Sequence, residues 1–123
     1  MYQDDYGRVW EGPHPFTAEM IGANAPAEFG VYQILYPVGP FLVVAYIGIA
    51  TGDTIRGRLT KHRGAVGNWA LARLGATSDF TFVFYRCDAS TARQIESHVV
   101  TMQKPAFNVR PEYKHFIPSI AIH

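Results

Sequence analysis

Two phenols, a guanidinium, an imidazole and an isolated carboxyl group recur in this 123-residue chain at spacings that ordinary packing does not require. Tyr32 closes the tripeptide Gly30-Val31-Tyr32, and Tyr46 opens Tyr46-Ile47-Gly48. Arg58 and His62 follow one helical turn apart, Glu96 is the only acid between Asp88 and Glu112, and Asn108 comes after Lys104-Pro105-Ala106-Phe107. Cleaving a phosphodiester needs an activated water, stabilisation of the charge growing on phosphorus, and neutralisation of the leaving oxygen. An always-charged planar arginine fork suits phosphate. Histidine titrates near neutrality, and a lone carboxylate is a hard donor suited to one Mg²⁺ whose other positions are waters and phosphate oxygens.

Each residue alone also has an ordinary reading. Strand tyrosines pack in cores with their hydroxyls hydrogen-bonded, helix arginines and glutamates are solvated, and Asn108 fits a turn. Position favours the chemical reading. Arg58 and His62 project together, whereas Arg56 lies about 160° from Arg58 around a helix. Glu96 falls about 100° from Ile95, at the edge of a buried stripe.

The elements that must hold these groups are legible in part. Gly30–Tyr36 and Phe41–Gly48 read as a β-hairpin around Pro37-Val38-Gly39-Pro40. A three-residue loop would set Pro37 opposite Phe41 and Tyr32 opposite Tyr46. Asp53 or Thr54 caps a helix running to about Arg63, with Ile55, Leu59, His62 and Val66 on one stripe. A second short helix is expected from Asn68 to Gly75. Asp79–Cys87 is apolar on both faces and reads as an internal strand. Thr91 and Gln94 have capping-box spacing for a helix with core stripe Ala92, Ile95, Val99 and Met102, ended by Pro105.

Residues 1–29, with Gly12-Pro13, Pro15 and Pro26, read as an N-terminal arm packed on the body, with at most a helical turn near Phe16–Met20. Residues 30–123 form the domain and its tail. The length fits one domain, and 48% hydrophobic with 17% charged residues is a packed globular composition. Cys87 is the only cysteine, which excludes an internal disulfide and fits a reducing, cytoplasmic interior. No apolar run is long enough to span a bilayer and no basic-then-apolar leader opens the chain, so membrane insertion and secretion are not expected. Residues 1–29 hold one arginine against five acids, a net −4; the rest hold ten Lys/Arg against five acids, a net +5. That sign favours a polyanion, and its size predicts weak, salt-sensitive binding.

Taken in order, Gly30-Val31-Tyr32, Tyr46-Ile47-Gly48, Arg58-xxx-His62, Arg93-xx-Glu96 and Lys104-Pro105-x-Phe107-Asn108 resemble the GIY-YIG nuclease superfamily over residues 30–109. The resemblance implies an α+β fold, a small antiparallel three-stranded β-sheet flanked by helices, and a metal-dependent endonuclease that hydrolyses DNA. It implies Tyr32 as the tyrosine that activates water, Tyr46 as its support, Arg58 as phosphate clamp, Glu96 as ligand of one Mg²⁺ (or Mn²⁺), and Asn108 as a holder of the loop. His62 then relays a proton or orients a tyrosine hydroxyl. Arg56, Lys61, Arg63 and Arg73 supply contacts to the DNA backbone without sequence reading, or else form a solvated helix face. Target choice would come from the arm, a partner protein or a homodimer, because no DNA-reading module is visible. The alternatives are a non-catalytic nucleic-acid- or protein-binding domain on the same scaffold, and an unrelated small α/β domain in which these residues do not converge.

Overall fold

The structure, a computed structural model, describes residues 1–63 and 80–105. Its elements are β1 (Tyr2–Gln3), β2 (Val9–Pro15), α1 (Ala18–Asn24), β3 (Gly30–Val38), β4 (Phe41–Ala50), α2 (Ile55–Arg63), β5 (Thr81–Arg86) and α3 (Ala89–Gln103). The strands form one antiparallel sheet in the order β1-β2-β5-β3-β4. The expected helix over 68–75 and its Arg73, Asn108 and the tail lie outside the described residues.

The sheet has five strands, not three. The additional pair comes from the proline-containing N-terminal segment, where Glu11, His14 and Pro15 pair with Phe84, Phe82 and Thr81 of β5. The register shifts between Glu11 and His14, which takes Gly12-Pro13 out of the ladder. A proline is tolerated at such an irregularity because no ladder N–H is required there. With β2 on one side and β3 on the other, β5 is internal, as its apolar pattern requires.

Both faces of the sheet are covered, which explains why β5 has no polar side. Tyr32, Ile34, Phe82 and Phe84 pack with Ile21 of α1 and Ile55 and Leu59 of α2. Val31, Leu35, Ile47 and Val83 pack with Trp10 and with Ala92, Ile95 and Val99 of α3. Ile55 and Leu59 are fully buried, each contributing about 2 kcal/mol that holds α2 on the sheet. The α3 stripe is buried only to Val99; Met102 is 60% exposed.

The helix caps sharpen the sequence reading. Thr54 caps α2, its Oγ1 accepting from Gly57 N at 3.0 Å, while Asp53 Oδ1 accepts from Thr54 N at 2.7 Å. Asp88, not Thr91, caps α3 and accepts from Thr91 N at 2.7 Å. An aspartate two residues past β5 satisfies the free N–H groups one turn earlier than the expected box.

The acidity of the arm is largely consumed within the fold. Asp4 accepts from Trp10 Nε1 at 3.0 Å and from the Tyr6 and Arg8 amides at 2.9 Å. Arg86 pairs with Glu11 at 2.9 Å and with Glu28 at 2.7 Å. These last pairs are exposed and add little stability, but they place the arm's carboxylates on β5 rather than on α2.

Candidate active site

The register of the β3–β4 hairpin decides whether two tyrosines on different strands can share a site. Val38 pairs with Phe41, so the loop is two residues rather than three, and a bulge between Ile34 and Leu35 shifts the pairing once more. Tyr32 therefore faces Gly48, and Tyr46 faces Ile34. Each change displaces the register by one residue. Because side chains alternate with period two, the two shifts together return Tyr46 to the face of Tyr32.

The phenol rings lie 6.2 Å apart, as diagonal rather than direct neighbours. Gly48 makes that arrangement fit: a Cβ there would overlap Tyr32 Oη and come within 3.0 Å of Tyr46 Cε2. Gly30 works similarly for the backbone, since a Cβ would meet Tyr85 O and stand 3.0 Å from Ile55 Cδ1. Of the two motif glycines, Gly48 seats the tyrosines, while Gly30 lets β3 close on β5 and on Ile55 of α2.

Helix α2 supplies the next two groups. His62 Nε2 lies 2.8 Å from Tyr32 Oη, and the imidazole meets the Tyr46 ring edge-to-face at 4.7 Å. One turn earlier, the Arg58 guanidinium stands beside the Tyr32 hydroxyl and within electrostatic reach of Tyr46. Glu96, on α3, is half-buried at the edge of the group; its charge is felt by Tyr46, and that of Arg58 by Glu96. Among the described residues it makes no hydrogen bond or ion pair. Tyr32, Tyr46, Arg58 and His62 are in contact, with Glu96 at their margin.

The described basic residues expected to touch DNA lie elsewhere on α2. Lys61 Nζ pairs with Asp53 at 2.8 Å and is largely exposed. Arg56 Nε donates to Ala25 O at 2.8 Å, and Arg63 Nε to Phe16 O at 3.2 Å. Those tethers to the N-terminal segment were not legible in sequence; a cap signal at Thr17, whose side chain accepts from Met20 N, marked the helix that receives them.

Burial sets the protonation states. Desolvation pushes the Tyr32 phenol far above its ordinary value, aided by Tyr46 and only partly opposed by Arg58. Tyr46 is raised by burial too, against the pull of Arg58. His62 falls to about 4, chiefly through burial and then through the Arg58 charge. Glu96 is raised by burial, with Arg58 opposing. At neutral pH both phenols carry their protons and His62 is uncharged.

This has a consequence for stability. A histidine near 6.5 when unfolded and about 4 when folded binds more protons in the unfolded chain between those values, so stability falls as pH drops through that window. Thermal unfolding followed from pH 7 to 4.5 should show a falling Tm, and His62→Gln should flatten that slope. An equally steep slope in the variant would assign the acid sensitivity to another group.

The donor set can be weighed against a divalent ion on the same observations. Among the described residues no three His, Cys, Asp or Glu side chains cluster, so Glu96 would be the one protein carboxylate. A half-buried carboxylate with no partner among the described residues fits a hard cation that keeps most of its waters.

No protein-family model matches the sequence, and no curated protein matches it. Solved structures do. The GIY-YIG N-terminal endonuclease domain of UvrC from Thermotoga maritima, bound to its catalytic divalent cation magnesium, superposes with a TM-score of 0.54 at 24% identity, covering 74% of this chain and 98% of that one. The chain has the GIY-YIG fold. A tyrosine-to-phenylalanine mutant of the same domain, bound to its catalytic divalent cation, gives a TM-score of 0.54 at 25% identity, with 75% and 98% covered. An asparagine-to-alanine mutant with its cation gives the same score at 24% identity. The GIY-YIG fold here carries its sheet as five strands.

Proposed function

We propose that this GIY-YIG domain is a metal-dependent endonuclease that hydrolyses DNA phosphodiester bonds with one divalent ion. The observation that carries the reading is the buried Tyr32–His62 pair beside Arg58, whose Nε is itself buried without a partner. An unpartnered buried donor costs about 1–3 kcal/mol. Arg58 as a whole is only half-buried, and it is the rest of its guanidinium fork that a bound phosphate would meet.

In this reading Arg58 grips the scissile phosphate, and Lys61 on the exposed side of α2 contacts the backbone. Tyr32 is a poor base on its own, since burial holds its proton. Its hydroxyl therefore donates to neutral His62 Nε2 and takes a proton from the attacking water as it does so. The new bond forms between that water oxygen and phosphorus, and the bond to the leaving oxygen breaks. A phosphate beside Arg58 offsets the charge that depresses His62, which raises its proton affinity when substrate is present. Tyr46 fixes the imidazole by its edge-to-face contact, and Asn108, outside the described residues, is assigned the holding of the active-site loop or a tyrosine.

Glu96 holds the ion, Mg²⁺ or Mn²⁺, which when bound supplies positive charge against the charge developing on the phosphate. Residues 1–29 form the packed arm and 30–123 the catalytic domain. Target choice falls to a partner protein or a homodimer. No described helix is long and apolar enough to cross a membrane. The single cysteine fits a reducing compartment, for which we propose the cytoplasm.

Supercoiled plasmid incubated with protein and Mg²⁺ should become nicked or linear, and EDTA should stop it. EDTA-insensitive DNA binding with no cleavage of single-stranded, duplex or branched DNA would reject the enzyme and leave a binding domain on the same scaffold.

A further inference from the structure

Helix α2 carries both Arg58 and His62, so whatever fixes α2 also fixes the distance between imidazole, guanidinium and the Tyr32 hydroxyl. Its first turn is held from outside: Ile55 N–H donates to Glu28 O at 2.9 Å, and Arg56 N–H to Pro26 O at 3.1 Å. The side chains continue the pattern. Arg56 Nε reaches Ala25 O at the C-cap of α1, and Arg63 Nε reaches Phe16 O just before its N-cap. The start of α2 is tied to the end of α1 and the end of α2 to its start, so the helices run antiparallel with a bond at each extremity.

The spacing makes this possible. Residues seven apart on a helix fall within about 20° of one another, so Arg56 and Arg63 share the face turned to α1. Arg58 lies about 160° from Arg56 and is free for the site. We propose that residues 16–28 strap α2 onto the sheet, and that Arg56 and Arg63 are positioning residues for Arg58 and His62 rather than DNA contacts. This rests on the nuclease reading for its kinetic consequence, but not for its geometry.

The test uses the full chain and compares Arg56→Ala, Arg63→Ala and Arg63→Lys with Lys61→Ala. Positioning residues lower kcat by about tenfold or more, because small displacements of reacting groups are costly. They leave the slope of log Kd against log salt, measured for duplex DNA in EDTA, unchanged. Lys61→Ala lowers that slope by about one. Arg63→Lys, which keeps one donor for Phe16 O, restores part of kcat. A lowered slope with kcat intact would make either arginine a phosphate contact, and both quantities unchanged, or only Tm lowered, would make the tethers mere scaffolding; each result overturns the proposal.

His62 gives a readout that needs no cleavage. Its ring proton signals titrate by NMR, and loss of a tether that lets α2 lift should move its pKa from about 4 toward 6.5. If the wild type cuts no DNA, the nuclease reading fails while this titration still decides the strap. An unmoved His62 in both alanine variants refutes it.

Discussion

Replacing Tyr32 by phenylalanine is expected to lower the single-turnover rate of plasmid cleavage by about 10²–10⁴-fold, the range lost with a positioned proton-transfer group. The substitution removes one oxygen atom from a fully buried ring and leaves its packing against Gly48 and Tyr46 intact. The hydrogen bond of 2.8 Å to His62 Nε2 disappears and leaves that buried nitrogen unpaired, so stability falls by about 1–3 kcal/mol, less than the barrier added to the reaction. Rate and stability therefore separate. Single-turnover kinetics and urea unfolding on the same preparation measure the two, and a variant cutting within twofold of wild type would remove Tyr32 from the chemistry. Tyr46→Phe should have the smaller effect, because Tyr46 meets His62 through its ring rather than its hydroxyl.

Glu96→Gln should abolish Mg²⁺-dependent cleavage, by about 10³-fold or more, since a neutral amide replaces the carboxylate proposed to hold the ion. The fold should tolerate it well. Burial raises the Glu96 carboxyl above its ordinary value, and a carboxyl raised by folding costs stability once pH exceeds that value, so the amide leaves Tm unchanged or slightly higher at neutral pH. Calorimetric titration of Mg²⁺ should lose its binding heat in parallel. Retained cleavage with the same Mg²⁺ dependence would place the ion on other ligands.

Local patterns made much of this legible. The alternation of Phe80, Phe82 and Phe84 against Thr81, Val83 and Tyr85 announced a doubly covered strand, and the i, i+4, i+7 stripe of Ile55, Leu59 and His62 put an imidazole on a buried face. The proline-containing residues 9–15 hid a strand, because local propensity does not register a bulge that removes Gly12-Pro13 from the ladder. The hairpin loop is one residue shorter than its turn residues imply. Its tyrosines still share a face because the bulge made up the difference, a compensation that depends on packing and not on the turn residues.

Residue types and their helical period determined by themselves which groups share a helix face: Arg58 with His62, and Glu96 at the margin of a stripe. Those are short-range properties, set by backbone geometry over a few residues. Only the tertiary structure decided what the groups are when they meet. Tyr32 keeps its proton and His62 stays neutral because segments distant in the chain exclude water from both. Arg56 and Arg63 bind carbonyls 31 and 47 residues away, a separation over which no periodicity carries information. Desolvation and long-range contacts depend on which surfaces close on one another, and that is fixed only when the whole sheet has formed.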